Sequence, residues 1–352
     1  METDPRYVTA APPKHIDKCR VDSVLDNDHQ KVFTTALSNI LRTKVAETTL
    51  AQIVDGLPLE HIAFSLRGHR YTSDDPVATH IELCPGSIEK SRAFRERFDP
   101  VLMTVRTDVL ERYQAVPVGS RASQPVLIEL VAVAVHAIAV KLFKLDSHGP
   151  HKKDTPCPVK DPYAEAEADI RRRFQPWPTS FAVTSYTDVE QYPDGVADLA
   201  GYWAESLIFG GVVLFGRGES GSGYDGVWFH SHRKDATRRI YALTDDQTAT
   251  LLRFLTREAG SPDHGDIDSE CPFPILGDSN NRRRVDPEIA MPEHNVFRDR
   301  WERKMAFRSY EQYEQNSSCV KNSLDYPEMV SDWNKRLWFG QTRKGQRESE
   351  TK

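Results

Sequence analysis

The run QPVLIELVAVAVHAIAVKLF, residues 124–143, limits the possible folds most severely. A helix that is apolar nearly all round needs either lipid or a protein core on every side. Glu129, His136 and Lys141 interrupt the run, and each charge near the middle of a membrane helix costs roughly 3 kcal/mol. The sequence therefore predicts a core helix over 122–145, central to whatever packs here. The rest of the composition agrees with a soluble chain that binds no membrane: 39% of the 352 residues are apolar and 28% charged. A formal net charge of −6 argues against general nucleic-acid or anionic-membrane binding. The N-terminus METDPRYVTAAPPKHIDKCR has early acids and prolines and lacks the apolar segment of a secretory signal. Cys19, Cys84, Cys157, Cys271 and Cys319 are odd in number and form no C-x-x-C pair. Free thiols in a reducing, cytoplasmic compartment are expected.

The fold expected is α+β, with a mainly helical N-terminal half. Its C-terminal half carries a small antiparallel sheet of about three strands flanked by helices. Residues 1–25 read as a flexible arm, 26–145 as a helical region and 146–160 as a connection. Residues 161–340 read as an α+β region packed on the helices, and 341–352 as a disordered tail. Val32, Phe33, Ala36, Leu37, Ile40 and Leu41 predict one helix over 28–54, capped by Asp26 or Asp28 and stopped at Gly56. Shorter helices are expected over 59–66 and 87–98. Asp99-Pro100 should open another, with Leu102, Val105, Val109 and Tyr113 as its apolar stripe. Asp161-Pro162 opens a helix to 174 by the same device, and 181–186 alternates weakly, as a strand would.

The densest information lies in 192–243. Val196, Leu199, Ala200, Trp203, Ala204 and Leu207 mark the buried face of a helix over 195–209. Gly210-Gly211 ends it, 211–215 is an inner strand, and the glycine-rich 216–226 is a flexible hairpin loop. Strands at 227–232 and 240–243 follow. Thr244 and Gln247 form a capping box for a helix to 258. Asp286-Pro287 starts a short helix, and further helices are expected over 297–313 and 326–337.

Two sets of residues carry candidate chemistry. Asp198, Tyr202 and Glu205, at i, i+4 and i+7, share the helix face opposite the apolar stripe. Two carboxylates beside a phenol suit general acid–base catalysis if that face lines a pocket, and otherwise make a solvated face. His230 and His232 share one face of a strand, beside Trp228, and are candidate catalytic or metal-binding imidazoles. Glu205, Asp198 or His264 would supply a third ligand; the plainer reading is a strand end running into a charged turn. Glu129 and His136, seven apart, are expected to reach a wet edge of their helix or a neighbouring backbone group, and otherwise to pair with each other. His148, His151 and Cys157 have metal-ligand chemistry without a zinc spacing. GRGESGSGYDG lies between two strands, so a hairpin explains it better than a phosphate loop. The Arg171–Arg173 and Arg282–Arg284 triplets are read as solvated surface, with an anionic ligand as the alternative. No cofactor signature is present, so the cofactor stays unassigned, as does the oligomeric state.

The stretch YPDGVADLAGYWAESLIFGGVVLFGRGESG (192–221) resembles an uncharacterised family of filamentous ascomycete fungi. The likeness extends from about Val126 through RVDPE and NVFRDRWERK. The resemblance implies a fungal intracellular source and makes secondary metabolism the expected setting; it brings no activity with it. The fungal arginine-containing cyclodipeptide synthases, associated with a DDxxE motif, are a weaker likeness. Here Asp245-Asp246 is followed by Gln247-Thr248-Ala249. The function expected is an enzyme acting on a small molecule, or else a non-catalytic binding or assembly protein using the tryptophan-bearing C-terminal half.

Overall fold

The computed structural model describes residues 3–13, 15–68, 75–145, 151, 177–258, 266–317 and 325. The chain divides into a main unit, Thr9–Lys304, and a second that joins Met1–Val8 to Met305–Lys352. In the second, the Asp4 N–H donates to the Arg308 carbonyl at 2.9 Å.

The main unit begins with β1 (Lys18–Arg20), which pairs antiparallel with a strand from residues far along the chain. Val21 and Leu25 just after it are buried. This end of the supposed flexible arm is thus built into the fold. The helix expected over 28–54 is two helices, α1 (Asn27–Leu41) and α2 (Lys44–Asp55). Asp26 caps the first, and Thr43, accepting from the Ala46 N–H, restarts the chain as the cap of the second. A shared apolar periodicity hid that break. The short α3 (Glu60–Ser65) and α4 (Ser87–Arg97) follow.

Asp99 does cap at Pro100, but it opens only a 3-10 turn, Pro100–Leu102. The chain then extends as β2 (Thr104–Arg106), with Val105 opposite Cys19, before α5 (Thr107–Gln114). Val105 and Val109 are buried from a strand and a helix, which mimics one helical stripe. The predicted core helix is α6 (Ser123–Leu145). Although long and apolar enough to cross a membrane, it is mostly buried inside the protein, with Leu130, Ala132, Ala134 and Ala139 completely covered. Each large aliphatic side chain so buried stabilises the fold by about 1.5–3 kcal/mol.

Residues 181–186 make one isolated bridge, Val183 to Tyr186, instead of a strand. Next comes α7 (Val196–Ile208), which lies along α6. The two halves of the sequence thus share one core. The sheet then forms from β3 (Val212–Gly216), β4 (Val227–His230) and β5 (Ile240–Ala242), every residue of which is buried. After α8 (Asp245–Leu255), opened by the Thr244–Gln247 capping box, the chain adds β6 (Arg284–Val285), α9 (Pro287–His294) and β7 (Val296–Phe297).

The sheet has five strands in the order β6-β5-β4-β3-β7, all antiparallel, not about three. The two extra strands are two residues long, too short for alternation to mark them, and they pair with strands distant in sequence. Residues 298–309, expected as helix, are irregular before α10 (Tyr310–Ser317). The expected helices over 161–174 and 326–337, the tail after 340, and His148, Cys157 and His264 fall outside the described residues.

Candidate functional site

Helix α7 is buried all round. Its apolar stripe packs inward as predicted, and Asp198, Tyr202 and Glu205 on the other face are 5%, 2% and 0% exposed. That face is not solvated because α6 and the segment after β7 cover it with partners of opposite charge. From α6, His136 inserts its imidazole between two carboxylates. Nδ1 lies 2.8 Å from Glu205 Oε1 and Nε2 lies 3.0 Å from Asp198 Oδ1. From the other side, Arg298 donates twice to Glu205, at 2.8 and 3.0 Å, and to Glu302 at 2.9 Å. Glu302 also accepts from the Tyr202 hydroxyl at 3.0 Å and from the Asp299 N–H at 3.2 Å. Asp198 Oδ2 accepts from the Asp194 N–H at 2.7 Å.

Charge follows from these contacts. Burial alone would lower the His136 pKa, but hydrogen bonds to Asp198 and Glu205, with their charge, raise it to about 9. His136 is therefore an imidazolium at neutral pH. Burial pushes Glu205 up, yet Arg298 and His136 outweigh it and hold the carboxyl below its ordinary value. Glu302 goes the other way: burial, with Asp299 and Glu205 nearby, raises it despite Arg298. Two carboxyls thus share one guanidinium while their proton affinities are driven apart.

Close approach of α6 to α7 depends on Gly201. A methyl group there would lie 2.4–2.5 Å from three atoms of the His136 ring. Alanine would favour the helix by up to about 1 kcal/mol, but overpacking costs about 1–3 kcal/mol. Gly201→Ala should therefore destabilise the protein and bring the His136 pKa back toward 6.5, as read by urea unfolding and by NMR titration of the imidazole.

His136, Asp198, Tyr202, Arg298 and Glu302 form the charged end of a cavity of about 490 Å³. Its other walls are largely apolar, including Phe98, Leu102, Val133, Val140 and Trp301. Lys18 and Lys144, both paired with Asp194, and Arg106, paired with Asp299, also line it. Glu205 does not line this space and supports it from behind.

His230 and His232 are also buried, with ring centroids 4.4 Å apart. The helix face and the strand face meet through Tyr186, which stacks on Tyr202 at 4.6 Å and lies 5.7 Å from each imidazole. Neither histidine lines the cavity. Burial, then like charge from His232 and nearby arginines, pushes His230 well below its ordinary pKa; burial and Arg303 take His232 to about 3. Both are neutral, and their Nδ1 atoms lie near the Tyr186 and Ser206 hydroxyls at 3.4 and 3.3 Å. Among the described residues, no group of three or more metal-type ligands includes them.

Glu129 and His136 neither snorkel nor pair with each other. Glu129 is 1% exposed and is held by Arg217 at 2.8 Å, Arg112 at 3.1 Å and the Tyr224 hydroxyl. Arg217 comes from the start of the glycine-rich loop, with its guanidinium about 5 Å from the Phe215 and Tyr224 rings. The loop is a hairpin, as predicted, but latched to α6 at its base. The participation of His136, Arg298 and Glu302 had little local signal. His136 was legible as an interruption of an apolar run seven residues from Glu129, with nothing local to give Asp198 and Glu205 as its partners, and Arg298 and Glu302 as one i, i+4 pair in a polar segment. Compared with family models, curated proteins and solved structures, the chain has no match.

Proposed function

We propose that the protein is an enzyme performing general acid–base chemistry on a small, largely apolar molecule with a polar end. One observation carries this reading: a chain of buried, mutually hydrogen-bonded ionisable groups forms one wall of an apolar cavity large enough for such a molecule. Glu302, with its raised pKa, is the proton donor. Asp198 is the acceptor, since each of its oxygens has one hydrogen bond and a second lone pair. His136 and Arg298 position the two carboxyls, and Tyr202 holds Glu302. The second reading, a binding protein without turnover, is favoured by the engagement of both His136 nitrogens.

Cell extract incubated with the full chain and profiled by untargeted mass spectrometry distinguishes the two. Wild-type protein should deplete particular small molecules and form new ones. Glu302→Gln and Asp198→Asn should slow product formation by about 10²–10⁴-fold while still binding. Depletion by binding with no product from wild type supports the second reading. An extract unaltered by wild type, or altered equally by all variants, defeats the enzyme assignment.

A further inference from the structure

Away from the cavity, four side chains with metal-ligand chemistry converge where α2 ends. Asp55 is the last residue of α2 and fully buried; Gly56, at φ 105°, turns the chain away. His80 closes the 3-10 turn Pro76–Thr79, Cys84 precedes α4, and His151 comes from the connection after α6. One donor atom from each lies within 4.8 Å of all the others. Cys84 Sγ is 3.2 Å from His151 Nε2, His80 Nε2 is 3.4 Å from Asp55 Oδ2, and His151 Nε2 is 3.8 Å from Asp55 Oδ1. A tetrahedral zinc ion with bonds of about 2.0–2.3 Å needs ligand–ligand edges of about 3.3–3.8 Å.

The hydrogen bonding points the same way. His80 Nδ1 donates to the Pro58 carbonyl at 3.0 Å, which in the neutral imidazole leaves Nε2 as the lone-pair nitrogen. That nitrogen and Asp55 Oδ1 are buried without a hydrogen-bond partner. A separation of 3.4 Å between His80 Nε2 and the carboxylate is too long for a charge-assisted hydrogen bond, usually about 2.7–2.9 Å. Two facing lone pairs in a buried space repel unless a cation lies between them. The carboxylate itself is oriented by the Cys84 N–H at 2.7 Å, and the Asp55 carbonyl accepts from the His151 N–H at 3.1 Å.

We propose that Asp55, His80, Cys84 and His151 bind one zinc ion in a closed, structural site. One thiolate, two imidazoles and one carboxylate suit zinc, and four protein ligands leave no open coordination position. The ion ties the end of α2 to the segment before α4 and to the connection, none of which lines the acid–base cavity with these residues.

The full chain, loaded with zinc and freed of unbound metal, should retain about one equivalent. Loading with cobalt(II) should give a thiolate-to-cobalt charge-transfer band that Cys84→Ser removes. His151→Ala, at a side chain 26% exposed, should keep the fold by circular dichroism and weaken zinc binding by at least about tenfold. Wild-type protein that retains no zinc and gives no cobalt–thiolate band overturns the site. So does zinc retention that is unchanged in the His80→Ala/Cys84→Ser double variant.

Discussion

Replacing Arg298 by Ala should cost the fold about 3–5 kcal/mol, the usual consequence of stripping a buried ion pair of one partner. Arg298 has a side chain only 4% exposed and is the shared cation of Glu205 and Glu302. Without it, Glu205 keeps His136 and a 3.3 Å contact from the Val213 N–H, but Glu302 loses its cation and retains only neutral donors. A buried carboxyl in that position, its proton affinity already raised, holds its proton more tightly still or draws in water, and either response weakens α7 against the segment after β7. Lysine is a poor substitute, because one ammonium cannot reproduce the two-oxygen grip on Glu205 and the bond to Glu302 together. The combined variant Arg298→Met/Glu205→Gln/Glu302→Gln should recover much of the loss, since no charge is left without a partner. Urea unfolding of the three proteins measures this. A loss under about 1 kcal/mol in Arg298→Ala would mean that the network is far better solvated than its geometry indicates.

Stability should peak near pH 6.5 and decline on both sides for different reasons. On the alkaline side the group is His136, whose folded pKa of about 9 exceeds its ordinary 6.5. A raised pKa contributes stability that is complete below the unfolded value and lost as pH rises through the folded one. The alkaline loss therefore spans pH 6.5 to 9 and amounts to about 3 kcal/mol. On the acid side His230 and His232 are buried neutral, and His232 has a folded pKa of about 3. The unfolded chain takes up protons below pH 6.5 while the folded chain does not. His232 alone accounts for about 2 kcal/mol by pH 5. Thermal unfolding from pH 4.5 to 10 checks both limbs. His136→Gln should flatten the alkaline limb and leave the acid one; His232→Phe should shrink the acid limb to the share of His230 and leave the alkaline one. An alkaline decline that persists unchanged in His136→Gln would assign it to other groups.

Some elements were plain in the residues themselves. The α7 stripe, the Thr244–Gln247 box, the Asp26 cap and the glycine hairpin each rest on residues a few positions apart, and each formed where expected. The errors have a common cause. The continuous periodicity over 28–54 masked the Thr43 break, and a strand followed by a helix imitated one stripe over 100–113. β6 and β7 exist only because β5 and β3 offer edges to them. The four proposed zinc ligands likewise come from segments with no recognisable spacing, and only His151 drew notice as a ligand type.

What the sequence determined by itself was the need to bury α6 and one face of α7, because apolar area and helical period are properties of consecutive residues. It also placed Asp198, Tyr202 and Glu205 together on one helix face. Only the tertiary structure decided that this face is buried and charged. His136 reaches Glu205 across 69 residues and Arg298 reaches it across 93. Such separations leave no local pattern. Burial of those carboxylates is tolerable only because packing brings a cation to each side of Glu205, with the glycine at 201 giving His136 the room to enter.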